Sequence, residues 1–201
     1  MTFLLLMSMT YELIGYVFEK IFGIDGYEYG ALIHEYVGMS FILLVIFHLW
    51  LNRRWLMNIF NGHYNIARSI LVFSDIILIF DIFFILLSGL IMSRVLGIDS
   101  DDDFGMSFAR TSHILASYWG YVIMSFHAGL HIRKFPKILI IPMLYGCYAF
   151  FKRQIHEYMF LITEFVFFDF EEPLIYFILD YISVMILFTG LGFFVMKLCR
   201  R

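Results

Sequence analysis

Residues 31–51 read ALIHEYVGMSFILLVIFHLWL, a stretch in which Glu35 is the one charged side chain and His34 and His48 stand fourteen positions apart. As a helix rising about 1.5 Å per residue, such a run is long enough to cross the roughly 30 Å hydrocarbon layer of a bilayer. A helix also satisfies its own backbone there, which an open loop cannot do. Residues 112–132, SHILASYWGYVIMSFHAGLHI, repeat the arrangement, with His113 and His127 again fourteen positions apart.

The rest of the chain agrees with these two stretches. Of its 201 residues 62% are hydrophobic, 20% aromatic and only 15% charged, against about 45–50% apolar and about 25% charged in a soluble domain. A small soluble domain keeps too much wet surface to hide such an excess. A soluble enzyme, a disordered tail and a nucleic-acid binder are excluded, the last also by the net charge of -3. Cys147 and Cys199 make no disulfide framework, and no C-x-x-C-H motif for covalent haem occurs.

Six apolar stretches are expected to be helical: residues 2–22, 31–51, 69–91, 112–132, 138–151 and 174–196. The fifth is short and reads as a re-entrant or thinned span, and residues 157–170 as an interfacial segment. No stretch alternates as a membrane barrel strand does. The run Phe3–Met7 lacks the basic lead and cleavage site of a signal peptide. Arg53, Arg54 and Arg68 follow the second stretch, Arg133, Lys134 and Lys137 the fourth, and Lys197, Arg200 and Arg201 the last. That bias places both chain ends in the cytoplasm. Lys152 and Arg153 then fall on the acidic outer side, against the trend.

Fourteen positions at about 100° each fall about 40° short of four turns, so each histidine pair shares a helix face, its members roughly 21 Å apart. One span separates the two helices, so both run in the same direction. His34 and His113 are therefore expected at one depth, His48 and His127 at another. Two facing imidazoles at one depth are what a bis-histidine haem iron requires. Two such layers bring the ring edges within electron-tunnelling reach. A single histidine in an apolar helix is more often a hydrogen-bonded packing residue; four at matched spacing point to two non-covalent b haems. His131, one turn beyond His127, is an alternative inner ligand, a propionate contact or a helix cap. His63 and His156 lie in loops and need no special role.

The runs His34-Glu35-Tyr36-Val37-Gly38, Phe47-His48-Leu49 with Asn52 and Trp55, Ser88-Gly89, and His113, Trp119-Gly120 and His127-Ala128-Gly129-Leu130-His131 resemble a family of small bacterial membrane proteins known only as a domain of unknown function. The resemblance covers residues 1–131 well and the remainder loosely. In layout that family is similar to transmembrane di-haem b-type cytochromes. The resemblance implies a bacterial cytoplasmic membrane protein of several passes, with His34, His48, His113 and His127 as haem ligands. It implies a four-helix di-haem bundle over residues 1–135, with about two further membrane helices over residues 136–201 in the same continuous domain. It names no reaction.

Supporting residues follow. Gly38 and Gly120 lie on ligand faces and admit either a flat ring or a neighbouring helix. Arg94 and Arg110 are candidate propionate partners, while Arg53, Arg54 and Arg133 are better explained by topology. Glu12 and Asp81 sit near mid-span and are candidates for proton transfer or for lining a quinone pocket, or else protonated carboxyls bonded to a neighbouring helix. Asp75, nearer the edge, reads as a snorkelling acid. No nicotinamide, flavin or nucleotide-loop fingerprint is present. Electrons must then come from quinol, a small diffusing species or a redox protein partner. The expected function is transmembrane electron transfer through two haems, as an oxidoreductase or an electron-transfer subunit. The alternatives are a transition-metal transporter using histidine and carboxylate sites, and a haem-bearing anchor for a soluble subunit.

Overall fold

The structure, a computed structural model, describes Gly23, residues 26–93, Val95, residues 103–163, Val166 and residues 172–200. The expected first span, with Glu12, lies outside these residues, as does Arg94.

Among the described residues every regular element is helical. They are α1 (Gly26–Leu51), α2 (Arg53–Met57), α3 (Ile66–Ile91), α4 (Asp103–His131), a 3₁₀ turn (Lys137–Leu139), α5 (Ile140–Lys152), α6 (Ile155–Met159) and α7 (Leu174–Cys199). Among the described residues three stretches are long and apolar enough to cross a membrane: Gly30–Leu51, Ile66–Ile91 and Ile175–Cys199. By length and composition this is a multi-pass membrane chain.

Sequence punctuation explains the helix ends. Asn65 caps α3, its side-chain oxygen accepting the Arg68 N–H at 2.8 Å. Pro136 and Pro173 stand just before the 3₁₀ turn and α7, where a missing N–H does no harm. Pro142 falls in the first turn of α5 for the same reason. At 13 residues α5 is about 20 Å long and falls short of a full crossing, in line with the short span expected. Ile155, Tyr158 and Met159 of α6 are buried in protein.

α4 begins nine residues before the expected 112, at Asp103, and its 29 residues extend about 43 Å. It is less apolar than the other long helices, and part of its polar content is turned into protein. Ser125 and Tyr121 are fully buried.

The chain divides into two compact units, residues 1–63 with 86–109, and residues 64–85 with 110–201. In the first, Asn52 closes the end of α1 by donating from its amide to the His48 carbonyl at 2.8 Å. Arg53 lies over the Trp50 ring at 4.7 Å. The Glu35 carboxylate accepts from the Ser93 hydroxyl at 2.9 Å and the Val95 N–H at 3.1 Å, tying α1 to the chain after α3.

In the second unit glycines bring backbones into contact. A Cβ on Gly129 would overlap the Thr189 carbonyl, one on Gly192 the Phe126 carbonyl, and one on Gly146 the Ser183 carbonyl. Small residues are what allow α4, α5 and α7 to approach so closely where lipid offers no competing hydrophobic drive. Thr189 donates to the Ser125 carbonyl at 3.0 Å, and the Tyr121 hydroxyl donates to the Tyr181 carbonyl. Such interhelical bonds contribute about 0.6 kcal/mol each. Trp119 donates its indole N–H to the Met159 carbonyl at 2.7 Å, and Tyr118 stacks on Tyr158 at 4.6 Å, fixing α6 against α4.

Candidate functional site

His34 and His48 belong to the first unit, His113 and His127 to the second, and each is described within its own unit. His34 is half-buried on α1. His48, in the last turn of α1, is exposed, with its Nε2 3.5 Å from the Asn52 amide. A Cβ on Gly38 would meet nothing within 4 Å, so among the described residues close helix packing is not what requires glycine there. His113 is half-buried and Arg110 exposed on α4.

The most developed site surrounds His127. Its Nδ1 lies 3.1 Å from the Ser74 hydroxyl oxygen and 3.2 Å from Asp75 Oδ1, both on α3. Ser74 donates its own hydroxyl proton to the Leu71 carbonyl at 2.8 Å, so its oxygen can only accept at the histidine. An ionised carboxylate is likewise acceptor-only. With Asp75 ionised, two acceptors converge on Nδ1, and that arrangement calls for the proton on this nitrogen. In the neutral ring Nε2 then carries the lone pair. His127 and Asp75 are 20% and 22% exposed, sheltered enough for this pairing to escape much of the screening water imposes. The His131 ring meets His127 edge-on with centroids 4.7 Å apart, and it lies at the exposed end of α4.

Two turns back along α4, Gly120 leaves a notch, and Asp81 fills it. A Cβ on Gly120 would overlap Asp81 Oδ2. That oxygen is buried and has no hydrogen-bond partner among the described residues. The structure thus joins Gly120 to Asp81, and His127 to Asp75, Ser74 and His131.

A second polar cluster lies between α5, its following turn and α7. Asp180 is 0% exposed. Its Oδ1 accepts from the Tyr145 hydroxyl at 2.6 Å, and its Oδ2 accepts from Lys152 at 2.8 Å and Arg153 Nε at 2.7 Å. Glu172 accepts from Lys152 at 3.1 Å and Arg153 at 2.6 Å. The left-handed turn at Gln154 (φ 53°) follows these two cations. Burial pushes the Glu172 carboxyl up, but the Arg153 and Lys152 hydrogen bonds outweigh it and hold the group below its ordinary value of 4.5. The Asp180 hydrogen bond keeps Lys152 protonated to higher pH than usual.

Asp180, Tyr145, Ser74 and the pairing of Asp75 are not among the residues singled out by the sequence. Asp180 did carry a signal, as a lone acid inside an apolar helix facing an out-of-place Lys-Arg pair. Among the described residues no group of three or more histidine, cysteine or acidic side chains is arranged to hold a metal ion. Comparison of the chain with protein families, curated proteins and solved structures returns no match.

Proposed function

We propose that this chain is a membrane b-type cytochrome holding two haems, His34 with His113 and His48 with His127, and that it carries electrons between a quinone or redox protein and an acceptor. The observation that supports this most directly is the pair of oxygens, Ser74 Oγ and Asp75 Oδ1, that converge on Nδ1 of His127. A ligating histidine characteristically gives its second ring N–H to a carboxylate or other acceptor, which orients the ring and strengthens the coordinating nitrogen. Nδ1 of His127 has that environment, and the remaining nitrogen, Nε2, is the one a haem iron would use. Haem, when bound, supplies the one-electron chemistry of its iron.

The chain's own residues do the rest. Among the described residues nothing lies within 4 Å of a Cβ on Gly38, one turn from His34, which suits a flat ring on that helix face. Arg94 and Arg110 are the proposed propionate partners. Asp81, held against Gly120 with one oxygen unbonded among the described residues, is the proposed carrier of a proton that accompanies the electron. Glu12 is the second proposed carrier. A four-helix bundle around the two rings, extended by the C-terminal helices, completes the reading.

The test is the absorption spectrum of reduced, purified protein from haem-supplied cells. A b-type spectrum with about two haems per chain is expected. Haem-free protein refutes the proposal. Copurification of a soluble redox subunit would make the chain that subunit's haem-bearing anchor.

A further inference from the structure

On the di-haem reading above, we infer that Asp75, assisted by Ser74, is a positioning residue that selects His127 over His131 as the inner ligand and lowers the reduction potential of that haem alone. Two imidazoles one turn apart compete for one iron, and both lie where α4 ends. The acceptor pair on α3 decides between them. Ser74 Oγ, its own proton committed to Leu71, and Asp75 Oδ1 hold the His127 proton on Nδ1. They also restrict the ring about its side-chain bonds, because two acceptors 3.1 and 3.2 Å from one nitrogen fix a direction as well as a tautomer.

His131 is the last residue of α4, exposed, and touches His127 through a ring edge. Its place in the site is beside the ligand rather than on the iron.

The electronic consequence follows from charge. A carboxylate accepting Nδ1–H pushes electron density into the imidazole and makes Nε2 a stronger donor. A stronger donor favours the ferric over the ferrous iron, so the potential falls. Partial burial preserves the effect, since the pair is sheltered from full aqueous screening. The consequence is an asymmetric pair of haems, with the carboxylate acting on the His127 side only.

The test is a potentiometric titration of the purified, haem-loaded full chain, with low-spin haem electron paramagnetic resonance recorded alongside. Asp75→Asn should raise the potential of one haem, by about 59 mV for each tenfold preferential loss of ferric affinity, and leave the other unchanged. Haem retention at that site should fall about 10- to 100-fold, the range seen when outer partners of ligating histidines are removed. Asp75→Glu should restore much of the shift. His131→Ala should keep both haems, whereas His127→Ala should lose one.

Should Asp75→Asn not accumulate, Ser74→Ala reads the same quantity with a smaller perturbation. Unchanged potentials in the variants, an equal shift of both haems, or loss of a haem in His131→Ala instead of His127→Ala would each overturn the assignment. Wild-type protein without haem overturns the di-haem reading itself. Wild-type protein with two haems and indifferent variants overturns only the role of Asp75.

Discussion

Asp180→Asn is the sharpest perturbation of the second unit that does not involve a cofactor. The change keeps the shape of the side chain and removes its charge. In the native chain one fully buried carboxylate receives hydrogen bonds from Tyr145, Lys152 and Arg153. After substitution two cations share one acid, Glu172, and an amide N–H₂ faces donors. Removing one partner of a buried ion pair costs about 3–5 kcal/mol, chiefly through the charge left behind. Lys152 is 32% exposed and can turn toward water, whereas Arg153 is only 13% exposed. The lower end, about 3 kcal/mol, is therefore expected. For a chain of this size that corresponds to a fall in Tm of about 6–12 °C. The assay is thermal unfolding of detergent-solubilised protein followed by tryptophan fluorescence. The double variant Asp180→Asn with Lys152→Met should recover part of the loss, since coupled neighbours depart from additivity by about 0.5–3 kcal/mol. A single variant within about 1 kcal/mol of wild type, which is the worth of an ordinary hydrogen bond, would refute the ion-pair reasoning.

Other perturbations separate the packing from the charges. Gly146→Val should prevent the close approach of α5 to α7, because its Cβ would overlap the Ser183 carbonyl; a loss of about 1–3 kcal/mol or failure to accumulate is expected. Gly38→Ala, with nothing among the described residues within 4 Å of the new carbon, should leave the stability of haem-free protein unchanged or slightly raised in the same assay. The stabilisation due to Glu172 should be complete above its unfolded value of 4.5 and lost as pH falls through its lower folded value. Tm measured from neutral pH down to about pH 3 should therefore drop in wild type, and Glu172→Gln should start lower and lose that part of the slope. Trp119→Phe should cost about 1 kcal/mol through the lost bond to the Met159 carbonyl, read as earlier unfolding.

The helices were legible because apolar runs bounded by charge leave few alternatives. α1, α3 and α7 fall where hydropathy puts them, and the shortness of α5 is visible in the distance between Lys137 and Lys152. α4 was harder. Its histidines, serines and tyrosines dilute the apolar signal, and its start at Asp103 hides in an acidic run that reads as loop.

Partners were not legible beyond the anomaly of a lone Asp180 and an out-of-place Lys152–Arg153 pair. Asp75 looks the same in sequence whether it snorkels to the surface or holds a histidine 52 positions later, because nothing local records the other helix. Lys152 and Arg153 contradicted the charge asymmetry for a similar reason. Their acids lie 19 to 28 positions further along, on the far side of an intervening helix. Gly120 was read as room for a ring or a helix, and what fills it is a carboxylate from α3.

The cluster around Asp180 also has a temporal side. Lys152 and Arg153 are synthesised before Glu172, and Glu172 before Asp180, so the acceptor that three donors share is the last of the group to leave the ribosome. Until α7 enters beside α5, the cations have no buried acid, and the glycine faces of α4 and α5 have no backbone against them. Arrival of α7 closes both deficits in one event.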